Sequence, residues 1–236
     1  MPEQVALPSQ PQEMNWLVRI FNIFFEPRKA FESLKQKPKW LIPLVAVSLV
    51  TLVFLYLVSN IMIAEQITKT ELKQPLTESQ KQFMANWIKI ASLAMTPISI
   101  IAISLLQSLV LFFVFNVLMG GDSSFKRVLS VVSHSCLISI PALIIRCPLI
   151  LFKKTMEVQT SLAAFLSVDL KDSIIYKLLG GFDIFALWEV IVLSIGLSVM
   201  YNFSFKKSFI PILIMWIILI LISALLAGLF AGFGRM

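Results

Sequence analysis

Three charged side chains sit inside otherwise apolar stretches of this chain: Arg146, Asp183 and Glu189. A charge in hydrocarbon is costly, so such residues pair with one another, line a polar path or mark a site. They are the first candidates for chemistry here. The depth of each suggests a pairing. Arg146 lies six residues before Phe152 and Glu189 six residues after Asp183. At ~1.5 Å per helical residue, both side chains fall ~9 Å below the same surface. An Arg146–Glu189 ion pair is therefore expected, since the guanidinium grips a carboxylate with two parallel bonds. Asp183 is the next partner for Arg146. The bland alternative has Arg146 reaching outward to headgroups and Glu189 protonated.

Other chemistry is thin. His134 is the single histidine, so no Ser-His-Asp set and no His-rich metal site is evident. It is expected to hydrogen-bond a neighbour such as a serine of an adjacent span. Cys136 and Cys147 read as free, buried thiols, because eleven helical residues separate them too far to bridge. Gly120-Gly121 reads as a turn and lacks the spacing of a phosphate loop. No Walker motif is present, so any use of ATP would need a partner. The chain reads as non-enzymatic, with no catalytic residue, metal or cofactor assigned.

The elements that carry these residues are legible from charge alone. Trp40–Ala64, Ile90–Gly121, Val128–Ile145, Val190–Phe205 and Ser208–Gly234 contain no charged side chain. A bilayer core of ~30 Å needs ~20 apolar residues as helix. The composition agrees: 58% hydrophobic, 14% charged and a mean hydropathy of +0.89, against roughly 45–50% apolar for soluble domains. The expected fold is all-α, a polytopic membrane protein with five transmembrane helices at about 40–63, 88–119, 127–152, 183–203 and 208–231. Pro97 should kink the second span; Pro141 and Pro148 interrupt the third. Thr77-x-x-Gln80 resembles a capping box that would start the second helix above the bilayer. The loop 153–182 is the longest, and its Leu162–Leu170 part is expected to form a short interfacial helix.

Ahead of this membrane domain (40–234), residues 1–14 read as a disordered tail and 15–39 as a cytoplasmic lead-in. Asn15, Arg19, Asn22 and Glu26 recur at spacings of 4, 3 and 4. They form one polar stripe on a helix otherwise apolar and too short to span, suited to the headgroup layer; a collar packed on the bundle is the first reading of this lead-in, a lipid-surface anchor the second and a docking surface for a partner the third. Trp16, Phe21 and Phe24 are its expected interfacial anchors. A second short helix opens at Pro27, and Arg28, Lys29, Lys35, Lys37 and Lys39 give a basic cluster just before the first span. The net charge of +7 needs no nucleic acid, since basic residues beside spans serve topology and anionic lipid. The short turns 120–127 and 204–207 carry four basic residues and one acid, which sets the N-terminus inside and the C-terminus outside.

Small residues form stripes. Ser223, Ala227 and Ala231 repeat at intervals of four, as do Ala224, Gly228 and Gly232; Ser194, Ser198 and Asn202, and Ser104 with Ser108, do likewise. Small residues let membrane helices approach closely. Packing within the bundle is the first reading, and a homo-oligomer or partner interface the second.

Gly120-Gly121, Phe125-Lys126 and then Pro141 resemble the YIP-one (Ypt/Rab-interacting protein) membrane family. Phe182-Asp183-Ile184-Phe185-Ala186-Leu187-Trp188 through Ile195-Gly196-Leu197 is similar to that family's fourth span. Pro27, Phe31, Pro38-x-Trp40 and Pro43 are like its lead-in to the first. The resemblance covers residues 25–231 and implies five spans, a cytoplasmic N-terminus and no catalysis. Eukaryotic relatives recruit small GTPases through a longer N-terminal region. The short extension here looks more like prokaryotic relatives, companions of ATP-driven (ABC-type) exporters. The resulting expectation is an accessory or scaffold subunit in a bacterial cytoplasmic (inner) membrane, in contact with lipids and other membrane proteins. The alternatives are a transporter or lipid- or ion-handling protein using Arg146 and Glu189, and a GTPase-recruiting trafficking protein.

Overall fold

The computed structural model describes residues 14–167, 170 and 173–233, with only the backbone path given for 227–233. The expected tail at 1–14 therefore lies outside the described residues, apart from Met14. Nine α-helices run in chain order among the described residues: α1 Trp16–Phe25, α2 Pro27–Gln36, α3 Leu41–Glu71, α4 Glu78–Phe113, α5 Phe125–Ser135, α6 Ser139–Lys153, α7 Ile174–Gly180, α8 Ile184–Tyr201 and α9 Phe205–Phe233. Five segments are long and apolar enough to cross a membrane: α3, α4 with the turn after it, α5 with α6, α8, and α9. The chain is a multi-pass helical membrane protein.

The helices extend past the spans expected from hydropathy. α3 has 31 residues, about 46 Å of helix, so its last turns stand beyond a ~30 Å core. It pairs with α4, which starts at the capping box: Thr77 Oγ1 accepts from the Gln80 backbone N–H, and the Gln80 side chain accepts from the Thr77 N–H. Lys81 of α4 closes the protruding hairpin on Glu71 of α3 at 2.7 Å. Pro97 does not interrupt α4, although a kink is expected there. The irregular turn comes instead at Val114–Leu118, a π-helical stretch.

The third span is broken, and at the place proline chemistry dictates. Pro141 has no N–H to give the carbonyl of Leu137, and its ring crowds that carbonyl. The chain accordingly tightens into a 3₁₀ turn at Cys136–Ile138, between α5 and α6. Pro148 lies inside α6 without a break.

Spans three and four form the centre of the bundle, 61% and 56% buried, whereas spans one, two and five are only 28%, 22% and 17% buried. Small residues allow the centre to close. Ser104 and Ser108 of α4 and Ser194 and Ser198 of α8 are all buried. The Ser108 and Ser194 hydroxyls bond back to the carbonyls of Ser104 and Val190 in their own helices. On α9 the packed face runs through Ser208, Ile212, Ile220 and Ala224, so Ala224 packs inside the chain while Ser223 turns outward. Ala227, Gly228, Ala231 and Gly232 lie outside the residues whose side chains are described.

The lead-in packs on the bundle, the first of its three expected readings. α1 starts under an Asn15 cap, whose Oδ1 accepts from the Leu17 N–H. It turns at Glu26-Pro27 into α2, which packs along α8, while α1 packs on α2 and α5. The Phe24 ring meets Trp188 edge-on at 6.0 Å; Phe31 lies on Gly196; Lys35 Nζ donates to Asn202 Oδ1 at 2.5 Å. The two contacts of α2, Phe31 with Gly196 and Lys35 with Asn202, ascend together in both sequences, so α2 runs parallel to α8. The polar stripe turns inward at Arg19, which is 4% exposed and donates to Ser33 Oγ and the Met14 carbonyl. Trp16 and Phe21 remain exposed, whereas Phe24 is committed to the protein rather than to the outside.

Candidate functional site

The end of the molecule opposite the basic turns is closed by a small polar clasp. Asp183 caps α8: its Oδ1 accepts from the backbone N–H of Phe185 at 2.8 Å and of Ala186 at 3.3 Å. Carboxylates favour this position because the first N–H groups of a helix have no internal partner and carry partial positive charge. The other oxygen, Oδ2, receives Arg146 Nη2 of α6 at 2.6 Å and the Thr160 hydroxyl. Arg146 Nε and Nη2 also donate to Thr160 Oγ1, at 2.9 and 2.6 Å. Arg146, Thr160 and Asp183 thus bind one another in a closed triangle. It fastens the loop after span three to the end of span three and the start of span four.

The partner of Arg146 is therefore Asp183, which corrects the expected pair with Glu189. No ion pair joins Arg146 to Glu189 among the described residues. Equal depth along two helices does not set azimuth, and the cap position brings the Asp183 carboxylate beyond the helix end, where the folded-back loop delivers Thr160. Burial pushes the Asp183 carboxyl up, but the bonds from Thr160 and the Phe185 N–H, with the Arg146 charge, hold it below the ordinary carboxylate value. Both oxygens of Asp183 are occupied, so the triangle is built to hold structure together.

Glu189 sits apart, half-buried on the α8 face shared with Val192 and Leu193. Cys136 contacts the Ser104 hydroxyl at 3.8 Å. His134, 2% exposed, bonds through Nδ1 to the Ser130 carbonyl at 2.7 Å. Its partner is thus a backbone group of its own helix, one turn back, rather than a serine of another span. Both cysteines are free.

At the basic end, Tyr201 OH donates to Asn116 Oδ1 at 2.5 Å, and Asn116 Nδ2 donates to the Ser123 carbonyl at 3.0 Å. This ties the turn after span two to the end of span four. Gly120 takes a φ of +63°, and a side chain on Gly121 would begin 2.5 Å from the Tyr201 ring. The glycine pair is therefore required by both conformation and space. Arg127 Nε donates to the Lys35 carbonyl at 3.0 Å, which anchors α2 to the same corner. The Asn116–Tyr201 and Lys35–Asn202 links carry no local sequence signal; only the Gly-Gly turn could have pointed to them.

Comparison with known proteins agrees with this architecture. The Yip1 domain family matches residues 21–227. The chain is 26% identical over 196 residues to membrane protein YknW of Bacillus subtilis (strain 168), covering 83% of this chain and 84% of that protein. No solved structure matches. The matched segment takes in α2, all five spans, the Gly120-Gly121 turn and the Arg146–Asp183 clasp, and on that coverage the chain belongs to the Yip1 domain family.

Proposed function

We propose that this protein is a non-catalytic accessory or scaffold subunit of a membrane complex, a companion of an ATP-driven exporter in the cytoplasmic membrane, with its N-terminus inside. The supporting observation is the distribution of burial over the spans. The two central spans are more than half buried, and the three outer ones less than a third. α3, α4 and α9 present long apolar faces to the surroundings, among them Leu49, Val53, Ile103, Leu106, Ile218 and Leu219. Such faces meet lipid and, where small residues interrupt them, other helices. Arg146, Asp183, Asn116 and Tyr201 meanwhile close on partners in the chain itself.

Reconstitution tests this reading. The purified chain alone, in sealed vesicles, is expected to move no solute and to change no ion permeability. Joined to its partner ATPase, it is expected to raise the stability or activity of that complex. Flux through the chain alone would overturn the accessory reading. It would favour the second one, a polar path at Glu189, whose carboxylate has no ion pair among the described residues.

A further inference from the structure

A cavity of about 570 Å³ lies between spans four and five at the clasp end. That is the size of sites that take small amphiphilic ligands, roughly 300–1,000 Å³. Ile184 and Leu187 of α8, Trp216 of α9 and Phe165 line it, and Thr160 and Ser161 of the clasp loop form its polar roof. The mouth is open, with Phe165 88% and Ile184 66% exposed.

Depth follows from the helices. Leu187 is one turn of α8 below the Asp183 cap, about 6 Å. Trp216 is one turn of α9 from Ile220, which packs on Gly181 beside that cap. The cavity thus begins at the level of the polar clasp and descends along two membrane-spanning helices, where the surroundings are hydrocarbon. Its polar groups are confined to the roof and already engaged: Thr160 with Arg146 and Asp183, Ser161 Oγ with Gln159.

An apolar cleft of this size does not hold water, which needs polar partners. Left empty, it forfeits the dispersion contacts of every side chain lining it. What surrounds its mouth in a bilayer is lipid. We infer that the cavity holds an acyl chain of one phospholipid from the leaflet at the clasp end, its glycerol end beneath the Thr160–Ser161 roof. Because Arg146 neutralises Asp183, the roof offers no net charge. The lipid is selected by its chain and not by the charge of its headgroup.

The test uses the full chain in mild detergent and native mass spectrometry. The wild-type protein is expected to retain one phospholipid under activation that strips the others, equally for phosphatidylethanolamine and phosphatidylglycerol. Leu187→Trp fills the cavity at a residue that lines it and should lower that retained fraction about tenfold, a loss of ~1.4 kcal/mol. Val45→Trp on the exposed face of α3, 47% exposed, should leave it unchanged. Should Leu187→Trp fail to fold, a variant with Trp216 as its single tryptophan supplies a second reading. Its fluorescence should be quenched more by lipid brominated near the glycerol end than by lipid brominated near the chain tail. Complete stripping of the wild type, equal retention by Leu187→Trp, or equal quenching by the two lipids would overturn the proposal. Retention of phosphatidylglycerol alone would overturn the selection by chain. A dimer of the chain that is lost in Leu187→Trp would assign the cavity to a second copy instead.

Discussion

The ring of Phe31 lies so close over Gly196 that a methyl group on the glycine would begin 2.9 Å from its Cζ, and closer still to Val131 Cγ1. One residue of α2, one of α5 and one of α8 meet at this point, so the lead-in belongs to the bundle rather than resting on it. Gly196→Leu must push α2 or α5 away. Overpacking of this kind costs about 1–3 kcal/mol. Phe31→Ala should cost more, about 3–5 kcal/mol, because Phe31 is fully buried and leaves a cavity. Thermal unfolding in detergent reads both. Full stability in Gly196→Leu would show that α2 is not held there.

The Arg146–Thr160–Asp183 triangle makes a pH prediction whose sign is set by the direction of the shift. The folded Asp183 carboxyl lies below its ordinary value, near ~3.9 when unperturbed. Its contribution to stability is therefore present above that ordinary value and is lost as the pH falls through the lowered folded one. Asp183→Asn keeps a carbonyl cap but loses the charge and should cost about 1–3 kcal/mol at neutral pH. The acid-side decline of the wild type should be shallower in the variant. Identical acid profiles would remove the carboxylate from the account.

The exposed side of α1 is proposed as a membrane anchor. Trp16, Leu17, Val18 and Phe21 are each about half exposed or more, and an apolar helix face in this position suits the headgroup boundary. Replacing Trp16 and Phe21 with Glu is expected to raise hydrogen exchange over α1 while leaving α2 protected, since α2 is held through Phe31 and Leu34. Fast exchange over α1 in the wild type would sink the anchor.

Topology rests on the basic short turns. A cysteine at Asp122 is expected to resist an impermeant thiol reagent added outside intact cells, and one at Glu157 to react. The opposite pattern would invert the orientation.

The spans were legible because a bilayer imposes a length and a polarity that charge-free runs display directly. The capping box at Thr77 and Gln80 was equally legible, being a local pattern whose partners lie three residues apart. The break in span three followed from Pro141. Three features escaped. The polar stripe of α1 reads as a water-facing edge, but Arg19 turns inward because α2 folds back and offers Ser33, and nothing local announces a hairpin. A helix is expected within 162–170; among the described residues there, a 3₁₀ turn forms at Leu162–Phe165, and helix α7 follows at Ile174–Gly180. At the candidate site the sequence marks both Arg146 and Asp183 as charges in apolar stretches, whereas depth along the helices pairs Arg146 with Glu189. The contact depends on Thr160, brought from fourteen residues away by a loop whose path the sequence does not encode locally. A Gly-Gly-Phe-Asp run before an apolar stretch is a helix-start signal, and weighing it would have favoured Asp183 as the residue at the helix end.

The proposed function has this chain working as a subunit and not alone. Purification from native membranes in mild detergent, followed by quantitative mass spectrometry of cross-linked complexes, measures it most directly. The account predicts that the chain elutes in fixed ratio with membrane subunits that include an ATP-binding protein, with cross-links to the exposed faces of α3, α4 or α9. Elution of the chain by itself at its own mass, with no cross-linked partner at native abundance, would contradict it.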